Sequence, residues 1–559
     1  MKKRDQARPR LLALMVITVL LVALLAGCVS GPATTQKPTT TGGTTATATT
    51  TASKPVLPDG GVTNPTGYEP IVNQPITLTA AIIYGAHMGD FTKYEIWKNI
   101  ETKTGIKLEL NILADREKVN LMFASRDFPD IAFRLDPQNT SVMDAAEAGD
   151  LVQLDPLLEQ YAPIWNEFFQ ENPLMAKYVQ VRDGKIYSLP YVEWLEWNTN
   201  LRDQWFINGD WLNELNLPEP KTTADFKDYL IKVKENAGKG SIPANAIPFY
   251  ILYNSYIGGQ FDVYASFGVY MCQTNGQNYL YMDNGKIKSQ VANPNLKEAI
   301  KYLADLYQSG LMAPEIFTDD WGAYVSKITS EPAITGSLGT HNNNGKTWWK
   351  AIGPLDSGNN RPSYIRAQSK GVRLNAFMIF KDNKYPVASL RLANMLSDPE
   401  GLLFEEFLGY EGIHYNKVGD KYERVAMVDT TKQGENLKPL GNYTIALIDD
   451  NIVSKFLSFP ATKTKDTREY DYLNRYKSHV PTEMQIPSIP DTYFTSQENE
   501  LIAQYATDCD AFLKKTVATW ITGDADIELE WDGLLAKLNK MGYQDYINLM
   551  QKGYNKLME

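Results

Sequence analysis

An alternation of strand-like and helix-like segments constrains the first folded part of the chain more than any other feature. An apolar run at residues 76–84 predicts a buried strand, and apolar residues that alternate with polar ones at residues 106–112 predict a second. The helix between these strands ends at Gly105, and a further helix at residues 116–125 leads to a third strand at residues 128–133. Strands that alternate with helices predict an α/β fold with an open, mostly parallel sheet, whose ligands bind at the carboxyl ends of the strands.

The length and apolar content of the chain predict more than one hydrophobic core. Hydrophobic residues make up 43% and aromatic residues 11% of the 559 residues, which is more than a single domain core normally holds. The C-terminal part is predicted to be helical, with stops at Gly523 and Gly542. The apolar stripe of Phe512, Val517 and Trp520 is expected to face a core rather than a ligand. We therefore expect two domains and a helical C-terminal region.

The N-terminus has the layout of an export signal. Basic residues precede an apolar run at residues 11–26, which is shorter than the roughly 20 residues that an uncleaved membrane-spanning helix needs. The four residues that end at Cys28 match the bacterial lipobox. Residues 1–27 are therefore predicted to be a signal peptide, Cys28 the site of lipid attachment, and the segment 28–70, rich in Thr, Pro and Gly, a disordered tether.

The charge and the cysteine content disfavour several classes of partner. A net charge of −11 disfavours nucleic acid, because binding it requires a basic surface. Beyond Cys28 only Cys272 and Cys509 remain, and their wide separation leaves open whether they form one disulfide or two buried thiols. The sequence contains no C-x-x-C pair and no H-E-x-x-H motif, so we expect neither a metal site nor a cofactor.

Residues 183–226 are interpreted as a connection between two lobes. Four of the chain's 11 tryptophans fall within this segment. A short strand is predicted to end at Pro190, Asp210 is expected to cap a short helix, and Thr222 with Asp225 predicts a capping box for the next helix. The tryptophans are thus expected on a polar connection between ordered elements.

Motifs in this connection and after it resemble one protein family. The run WFINGDWLNELNLPEPKTTADF at residues 205–226 is similar to a signature of the family 1 extracellular solute-binding proteins, in the large lipoprotein subgroup that serves sugar-importing ABC transporters. Similar features recur as GLMAPEIFTDDW at residues 310–321, EGIHY at residues 411–415 and the helical segment at residues 520–554. The resemblance covers nearly all of the chain after the predicted tether.

The resemblance implies a two-lobed, periplasmic-binding-protein-like fold of type II, in which each lobe is a mostly parallel sheet flanked by helices. Residues 74–192 and about 372–445 would form the N-terminal lobe, and residues about 196–368 and 446–559 the C-terminal lobe. It also implies a monomeric, lipid-anchored protein on the extracellular face of the cell membrane. Such a protein captures a carbohydrate, here expected to be an oligosaccharide, and delivers it to the permease of an ABC importer, without catalysis.

Aromatic side chains in polar loops are the expected ligand contacts. Flat rings pack on the C–H face of a sugar, while carboxylates and other polar groups bond its hydroxyls. For each tryptophan, a place in the core of its lobe remains an open alternative. Asp130 beside the third predicted strand and His414 inside EGIHY are included, so the expected set is Tyr191, Glu193, Trp194, Trp197, Trp321, Trp349, Asp130 and His414.

Other functions and a metal were weighed against this interpretation. Several proteins of the resembled family carry a calcium loop of the form DxxGNGKxDEIP, but residues 235–248 lack its acidic ligands, so calcium is not expected. A peptide-binding or sensory protein of the same fold is one alternative. A secreted glycoside hydrolase that uses Glu193 and Glu196 as acid and base is another. Such carboxylate pairs arise easily by chance in a chain with 66 acidic residues, which favours the binding protein.

Overall fold

A computed structural model gives the fold. It describes residues 58–83, 89–194, 204–253, 255, 259–270, 279–340, 346–365, 371–425, 434, 436–441, 443–458, 475–480, 484, 486 and 489–559. The strands are β1 (Ile76–Ile83), β2 (Ile106–Leu113), β3 (Ile131–Phe133), β4 (Ser188–Trp194), β5 (Gln204–Asn208), β6 (Ile247–Tyr250), β7 (Leu280–Asp283), β8 (Lys286–Ser289), β9 (Thr335–Thr340), β10 (Trp349–Ile352), β11 (Gly371–Ile379), β12 (Tyr415–Val418), β13 (Lys421–Arg424), β14 (Leu447–Asp449) and β15 (Leu457–Ser458).

Helices surround these strands, and they are longest in the C-terminal region. They are α1 (Pro58–Gly61), α2 (Glu95–Thr104), α3 (Arg116–Ser125), α4 (Asn139–Glu147), α5 (Asp155–Tyr161), α6 (Pro163–Glu171), α7 (Pro173–Val179), α8 (Gly209–Glu214), α9 (Thr223–Glu235), α10 (Gln260–Ser266), α11 (Pro294–Gln308), α12 (Trp321–Ile328), α13 (Pro386–Leu396), α14 (Leu403–Phe407), α15 (Asp450–Phe456), α16 (Ser496–Thr522), α17 (Ile527–Lys540) and α18 (Tyr543–Met558). Short 3-10 helices lie at Phe91–Lys93, Pro314–Phe317, Lys477–His479 and Asp491–Tyr493.

The first lobe is built on a six-stranded sheet with the order β14-β4-β11-β3-β1-β2. All neighbours run parallel except β11, which is antiparallel to both β3 and β4. The alternating apolar residues of β1 and β2 set their register, with Ile76 opposite Ile106. Between these strands, α2 ends as predicted at Gly105, which adopts the left-handed conformation with φ of 77°. The mostly parallel sheet predicted from the sequence is confirmed.

The second lobe is built on a four-stranded sheet with the order β10-β5-β9-β6. Strands β10, β9 and β6 share one direction and β5 runs against them, so two of the three strand pairs are antiparallel. Every residue of β9 is buried. Its glycines allow close packing, since a Cβ added at Gly336 would lie 2.7 Å from the carbonyl oxygen of Pro248.

The two sheets belong to separate hydrophobic cores, which confirms the two-lobed fold. One core joins the second sheet to the C-terminal helices through residues such as Phe249, Leu303 and Trp520. Another packs α2, α6 and α13 against the first sheet. The chain passes from the first lobe to the second between β4 and β5, returns between β10 and β11, and passes over again after β15. Each lobe is therefore discontinuous in sequence.

The N-terminal boundary of the first lobe differs from the prediction. Residues 58–70 were expected to belong to the tether, but this segment packs on α13. The carboxylate of Asp59 accepts hydrogen bonds from the first backbone N–H groups of that helix, and the Arg391 guanidinium donates to backbone carbonyls at Asn64, Tyr68 and Ile71. The Pro- and Gly-rich composition gave no sign of these contacts, because they are made with residues more than 300 positions away.

The boundary between the lobes near residue 446 also differs from the prediction. Residues 446–559 were assigned to the C-terminal lobe, yet β14 pairs with β4 in the first sheet, with Leu447 opposite Val192. Ile448, Val453 and Leu457 then pack in the same cluster as Tyr191. The first lobe therefore extends to the end of β15, because β14 completes the edge of its sheet.

Two local predictions at the connection between the lobes were wrong. Pro190 lies within β4 rather than at its end. The strand tolerates this proline because the register of the partner strand β11 shifts between Arg373 and Phe377, so no regular hydrogen bond is lost where the proline lacks an N–H. Asn208, not Asp210, caps α8 by accepting a hydrogen bond from the Trp211 backbone N–H. The capping box that Thr222 opens at the next helix is confirmed.

Two further features concern the cysteines and the membrane. Cys509 is a buried free thiol, and burial raises its pKa. Cys272 lies outside the described residues. Among the residues that the structure describes, we find no helix with both the length and the apolar character needed to cross a membrane.

Candidate functional site

The carboxyl ends of the parallel strands in each sheet form an edge where polar and aromatic side chains collect. In the first lobe, Arg134 follows β3 directly, Tyr191 and Glu193 lie on β4, and Arg373 lies at the start of the reversed strand β11. Together with Asp136 these residues form what we call the first-edge cluster. Because β11 runs antiparallel, its beginning meets the ends of β3 and β4.

Ionic and hydrogen-bond contacts hold the first-edge cluster together. Arg134 Nε lies 3.4 Å from Asp136 Oδ1, and Arg373 Nη1 lies 3.6 Å from Asp136 Oδ2. The Arg134 guanidinium sits 4.7 Å from the centre of the Tyr191 ring, and the Tyr191 hydroxyl donates to Glu193 Oε2 at 3.2 Å. Arg134 and Tyr191 are buried while Arg373 is half exposed, so the cluster has a fixed base and an accessible cationic rim.

Burial shifts the titration of the groups at the base. It raises the pKa of Tyr191 well above its usual value, with the neighbouring Glu193 carboxylate adding to the shift and Arg134 opposing it. Burial also lowers the pKa of Arg134, although Asp136 opposes that change. Tyr191 therefore remains a neutral hydrogen-bond donor at any physiological pH.

A buried carboxyl group stands behind this cluster on α14. Glu406 is fully buried, and neither of its carboxyl oxygens has a hydrogen-bond partner among the described residues. Burial raises the pKa of Glu406 well above its usual value, and the positive charge of Arg134 only partly offsets the shift. The side chain is therefore protonated in the folded protein near neutral pH.

The corresponding edge of the second sheet carries a stack of three aromatic rings, which we call the aromatic stack. The ring centres of Trp321 and Tyr324 are 5.7 Å apart, and those of Tyr324 and Tyr250 are 5.1 Å apart, each pair inclined by only 26°. Trp321 begins α12, whose first turn is capped by Asp320. The Trp321 side chain is 44% exposed, whereas both tyrosines are buried. The outermost ring of the stack is thus partly exposed at this edge.

Polar contacts fix the inner rings of the aromatic stack. The Tyr324 hydroxyl donates to the carbonyl oxygen of Gly339 on β9, and the Tyr250 hydroxyl donates to the Asp319 carboxylate. Lys327 Nζ lies 2.6 Å from Asp319 and 4.9 Å from the centre of the Tyr250 ring. Burial alone would raise the pKa of Asp319, but its bonds to Lys327 and Tyr250 keep that pKa below its usual value. The stack is consequently rigid and its charges are paired internally.

Some of the residues expected to bind ligand lie at these edges. Tyr191 and Glu193 meet in the first-edge cluster, and Trp321 tops the aromatic stack. The side chain of Trp194 and all of Trp197 fall outside what the structure describes.

Other members of the expected set occupy structural positions. Trp349 is 5% exposed in the second core and pairs with Asn208, at the end of β5 away from the carboxyl edge. Asp130 precedes β3, at the opposite edge of the first sheet, and its carboxylate accepts from both the N–H and the hydroxyl of Thr79. His414 is buried, and its Nδ1 accepts from the backbone N–H of Tyr410, so it fixes a turn. Each of these three side chains contacts its own lobe, and their roles in ligand binding stay predictions.

Several residues of the two edges were missed. Arg134 directly follows the predicted strand at residues 128–133, which was a usable signal because ligands bind at strand ends. Tyr250, Tyr324 and Arg373 had no such signal. Tyr250 reaches its edge because β6 pairs with β9, Tyr324 because α12 packs at the end of β9, and Arg373 because β11 pairs with β4. Local sequence specifies none of these contacts.

Residues 235–248, which align with the calcium loop of the family but lack its acidic ligands, form hydrogen bonds within the protein. Lys239 Nζ donates to the Glu235 carbonyl at 3.0 Å, and the Glu214 carboxylate accepts from the backbone N–H of Ser241. Across the described ranges, no group of three or more His, Cys, Asp or Glu side chains is arranged to hold a metal ion.

Replacing Glu406 with Gln should change how stability depends on pH. Above a pH near the unfolded carboxyl value of 4.5, the unfolded chain releases this proton while the folded protein keeps it, so rising pH lowers the wild-type free energy of unfolding until the folded pKa is passed. Gln is uncharged at every pH. The stability advantage of Glu406→Gln over wild type, measured by urea unfolding, should therefore grow as the pH rises above about 5.

The neighbouring residue provides a control for this measurement. Glu405 pairs with Lys103 at 2.6 Å on the protein surface, and Glu405→Gln should not change the slope in the same range of pH. Parallel curves for wild type and Glu406→Gln would mean that Glu406 is ionised in the folded protein.

Comparisons with known proteins agree with this architecture. The sequence model of the family described as bacterial extracellular solute-binding protein matches residues 95–410, more than half of the chain. A curated relative, the fructooligosaccharide ABC transporter substrate-binding protein FusA of Streptococcus pneumoniae serotype 4, is 25% identical over 482 residues, covering 82% of this chain and 86% of the relative. A carbohydrate ABC transporter substrate-binding protein of the same strain is 22% identical over 488 residues, covering 83% and 87%.

Solved structures share the fold. S. pneumoniae FusA in complex with kestose superposes with a TM-score of 0.73 at 23% identity, covering 86% of this chain and 99% of that one. An ABC-transporter-associated solute-binding protein from Bifidobacterium longum infantis, named for binding HMO, also gives a TM-score of 0.73, at 20% identity and with the same coverage. The fold, the two lobes and the match over residues 95–410 lead to one conclusion: this chain belongs to the family of bacterial extracellular solute-binding proteins.

Proposed function

We propose that this solute-binding protein captures an oligosaccharide between the carboxyl edges of its two sheets and delivers it to the permease of an ABC importer. The observation that carries the proposal is the exposed indole of Trp321, held on two buried tyrosine rings at the edge of the second sheet. An indole that is backed by rigid rings offers a flat apolar face without an ordering cost. Such a face suits the C–H surface of a pyranose or furanose ring.

Polar groups on the opposite lobe complement this ring. Arg373 and Asp136 are partly exposed at the first edge, and Glu193 lies beside them. Guanidinium and carboxylate groups hydrogen-bond sugar hydroxyls with defined direction, so they would fix the orientation of a ligand that Trp321 holds by stacking. A ligand that contacts both edges favours the closed arrangement of the lobes, which the permease would recognise.

The named ligands of the relatives support the carbohydrate class. FusA is named for fructooligosaccharides and the second curated relative for carbohydrates. Recognition of a peptide, or a sensory role without a permease, remains the alternative for this fold. Capture without catalysis is part of the proposal, and it is supported by the family description and by the names of the relatives, which state substrate binding. Glu196 lies outside the described residues.

Attachment to the outer face of the cell membrane through Cys28 is a further part of the proposal. It rests on the lipobox that ends at Cys28, which precedes the first described residue, Pro58. Replacing Cys28 with Ala should move the protein from the membrane fraction to the soluble or secreted fraction when cells are fractionated. A variant that remains with the membrane to the same extent as wild type would show that another element anchors the chain.

Replacing Trp321 with Ala should weaken oligosaccharide binding while folding stability changes little. The exposed indole contributes contact area to the ligand, and losing such a ring typically costs about 2 kcal/mol of binding free energy or more. We would first find a ligand by thermal-shift screening of kestose and other oligosaccharides. Isothermal titration and thermal melting would then be run on the variant.

A matched variant separates stacking from a general surface effect. Tyr68 is an exposed aromatic residue of the first lobe, 64% exposed, and Tyr68→Ala should retain wild-type affinity. If Trp321→Ala binds the identified sugar as tightly as wild type, the aromatic stack is not the sugar platform.

A further inference from the structure

Three elements of the second lobe meet at the carboxyl end of β9. Gln204 pairs with Thr340 across the sheet, and the Tyr324 hydroxyl bonds the Gly339 carbonyl. The segment that leads into α10 also lies against it, since a Cβ added at Gly339 would be 3.0 Å from the Gly259 Cα. Gln260, the first residue of α10, is therefore brought to the same place as Gln204 and the aromatic stack.

Two side-chain amides at this point are buried without complete hydrogen bonding. Gln204 and Gln260 are each 3% exposed. Gln204 Nε2 and Gln260 Oε1 have no hydrogen-bond partner within the part of the chain that the structure describes. A buried amide atom without a partner is destabilising, and a ligand hydroxyl that supplies the partner removes this cost.

Burial alone does not leave a glutamine unpaired in this lobe. Gln290 is equally buried, yet its Nε2 donates to the Tyr270 carbonyl at 2.9 Å and its Oε1 accepts from Asn293 Nδ2 at 2.7 Å. The difference is location. Gln290 directly follows β8, away from the four-stranded sheet. Gln204 and Gln260 lie at the carboxyl edge of that sheet, beside the aromatic stack.

We propose that Gln204 and Gln260 form a subsite that binds the hydroxyls of one uncharged sugar unit held beside Trp321. This inference rests on the proposed function and names the ligand more closely. An amide N–H donor and an amide carbonyl acceptor together match neighbouring hydroxyls, each of which both donates and accepts. An unpaired donor and an unpaired acceptor at the same end of β9 therefore suit sugar hydroxyls and leave no charge to be balanced.

The charges around this subsite favour a neutral sugar unit over an acidic one. Lys327, a cation beside the aromatic stack, is paired with Asp319 at 2.6 Å. The buried carboxylate of Asp262 lies close by, with Oδ2 3.3 Å from the position of a Cβ on Gly339. A uronate carboxylate placed here would meet the acidic side chains of Asp262 and Asp319, while Lys327 is already engaged by Asp319.

The test replaces each amide by an apolar side chain of similar size and length. Gln204→Met and Gln260→Met should each raise the dissociation constant for a neutral oligosaccharide at least about tenfold, because a ligand hydroxyl loses its partner in a buried site. Each variant should lose less melting temperature than Gln290→Met, since one of the two polar atoms of each amide is unpaired without ligand. Titration calorimetry would use the neutral sugar found among kestose, maltotriose, xylotriose and lacto-N-tetraose, with trigalacturonate as the acidic comparison.

Gln290→Met is the matched control. It should melt at a lower temperature than wild type, because it breaks two satisfied hydrogen bonds, and it should bind the neutral sugar with unchanged affinity.

Different failures have different meanings. If Trp321→Ala loses affinity while both Gln variants keep it, the subsite is wrong and oligosaccharide capture stands. Gln variants that melt as low as Gln290→Met with unchanged affinity would show that the amides serve only the fold, which overturns the subsite. Tighter binding of trigalacturonate than of every neutral sugar overturns the neutral class. Wild-type protein that binds none of these sugars overturns both this inference and the proposed function.

Discussion

Each lobe buries its own apolar core, and the chain passes from one lobe to the other between β4 and β5, between β10 and β11, and after β15. Aromatic and aliphatic burial makes each lobe rigid, because close-packed interiors resist deformation. The reversed strands β5 and β11 follow from the same constraint, since each begins where the chain enters its lobe from the other one.

This arrangement places different chemistry on the two facing edges. The first-edge cluster offers ionic groups on a base fixed by Arg134 and Tyr191. The second edge offers the Trp321 ring and two neutral amides, with its cation already paired. An oligosaccharide has both an apolar ring face and many hydroxyls, so it needs both kinds of surface. The first edge supplies the ionic groups and the second edge supplies the exposed aromatic ring. Under the proposed function, a ligand that uses both surfaces holds the lobes together.

The sequence predicted the elements that depend on local signals. Periodicity located β1, α2 and β2, and Gly105 and the capping box at Thr222 gave correct helix boundaries. It failed where a distant contact decides the outcome. Strand β9 was missed within a glycine-rich stretch, because Gly336 and Gly339 are required by close approach of Pro248 and Gly259 rather than by a turn. Residues 58–70 were assigned to the tether on composition, and the contacts with Arg391 were not foreseen because that residue lies far along the chain.

The candidate site was predictable only in part for the same reason. Clustered aromatics and the resemblance pointed to Trp321, but Trp349 belongs to a core, and the amides of Gln204 and Gln260 meet only after β5, β9 and α10 assemble. The central claim is that a ligand bridges the two edges and closes the lobes. Small-angle X-ray scattering with and without a saturating oligosaccharide tests it most directly. The account predicts a smaller radius of gyration with ligand, and an unchanged radius at saturation would contradict it.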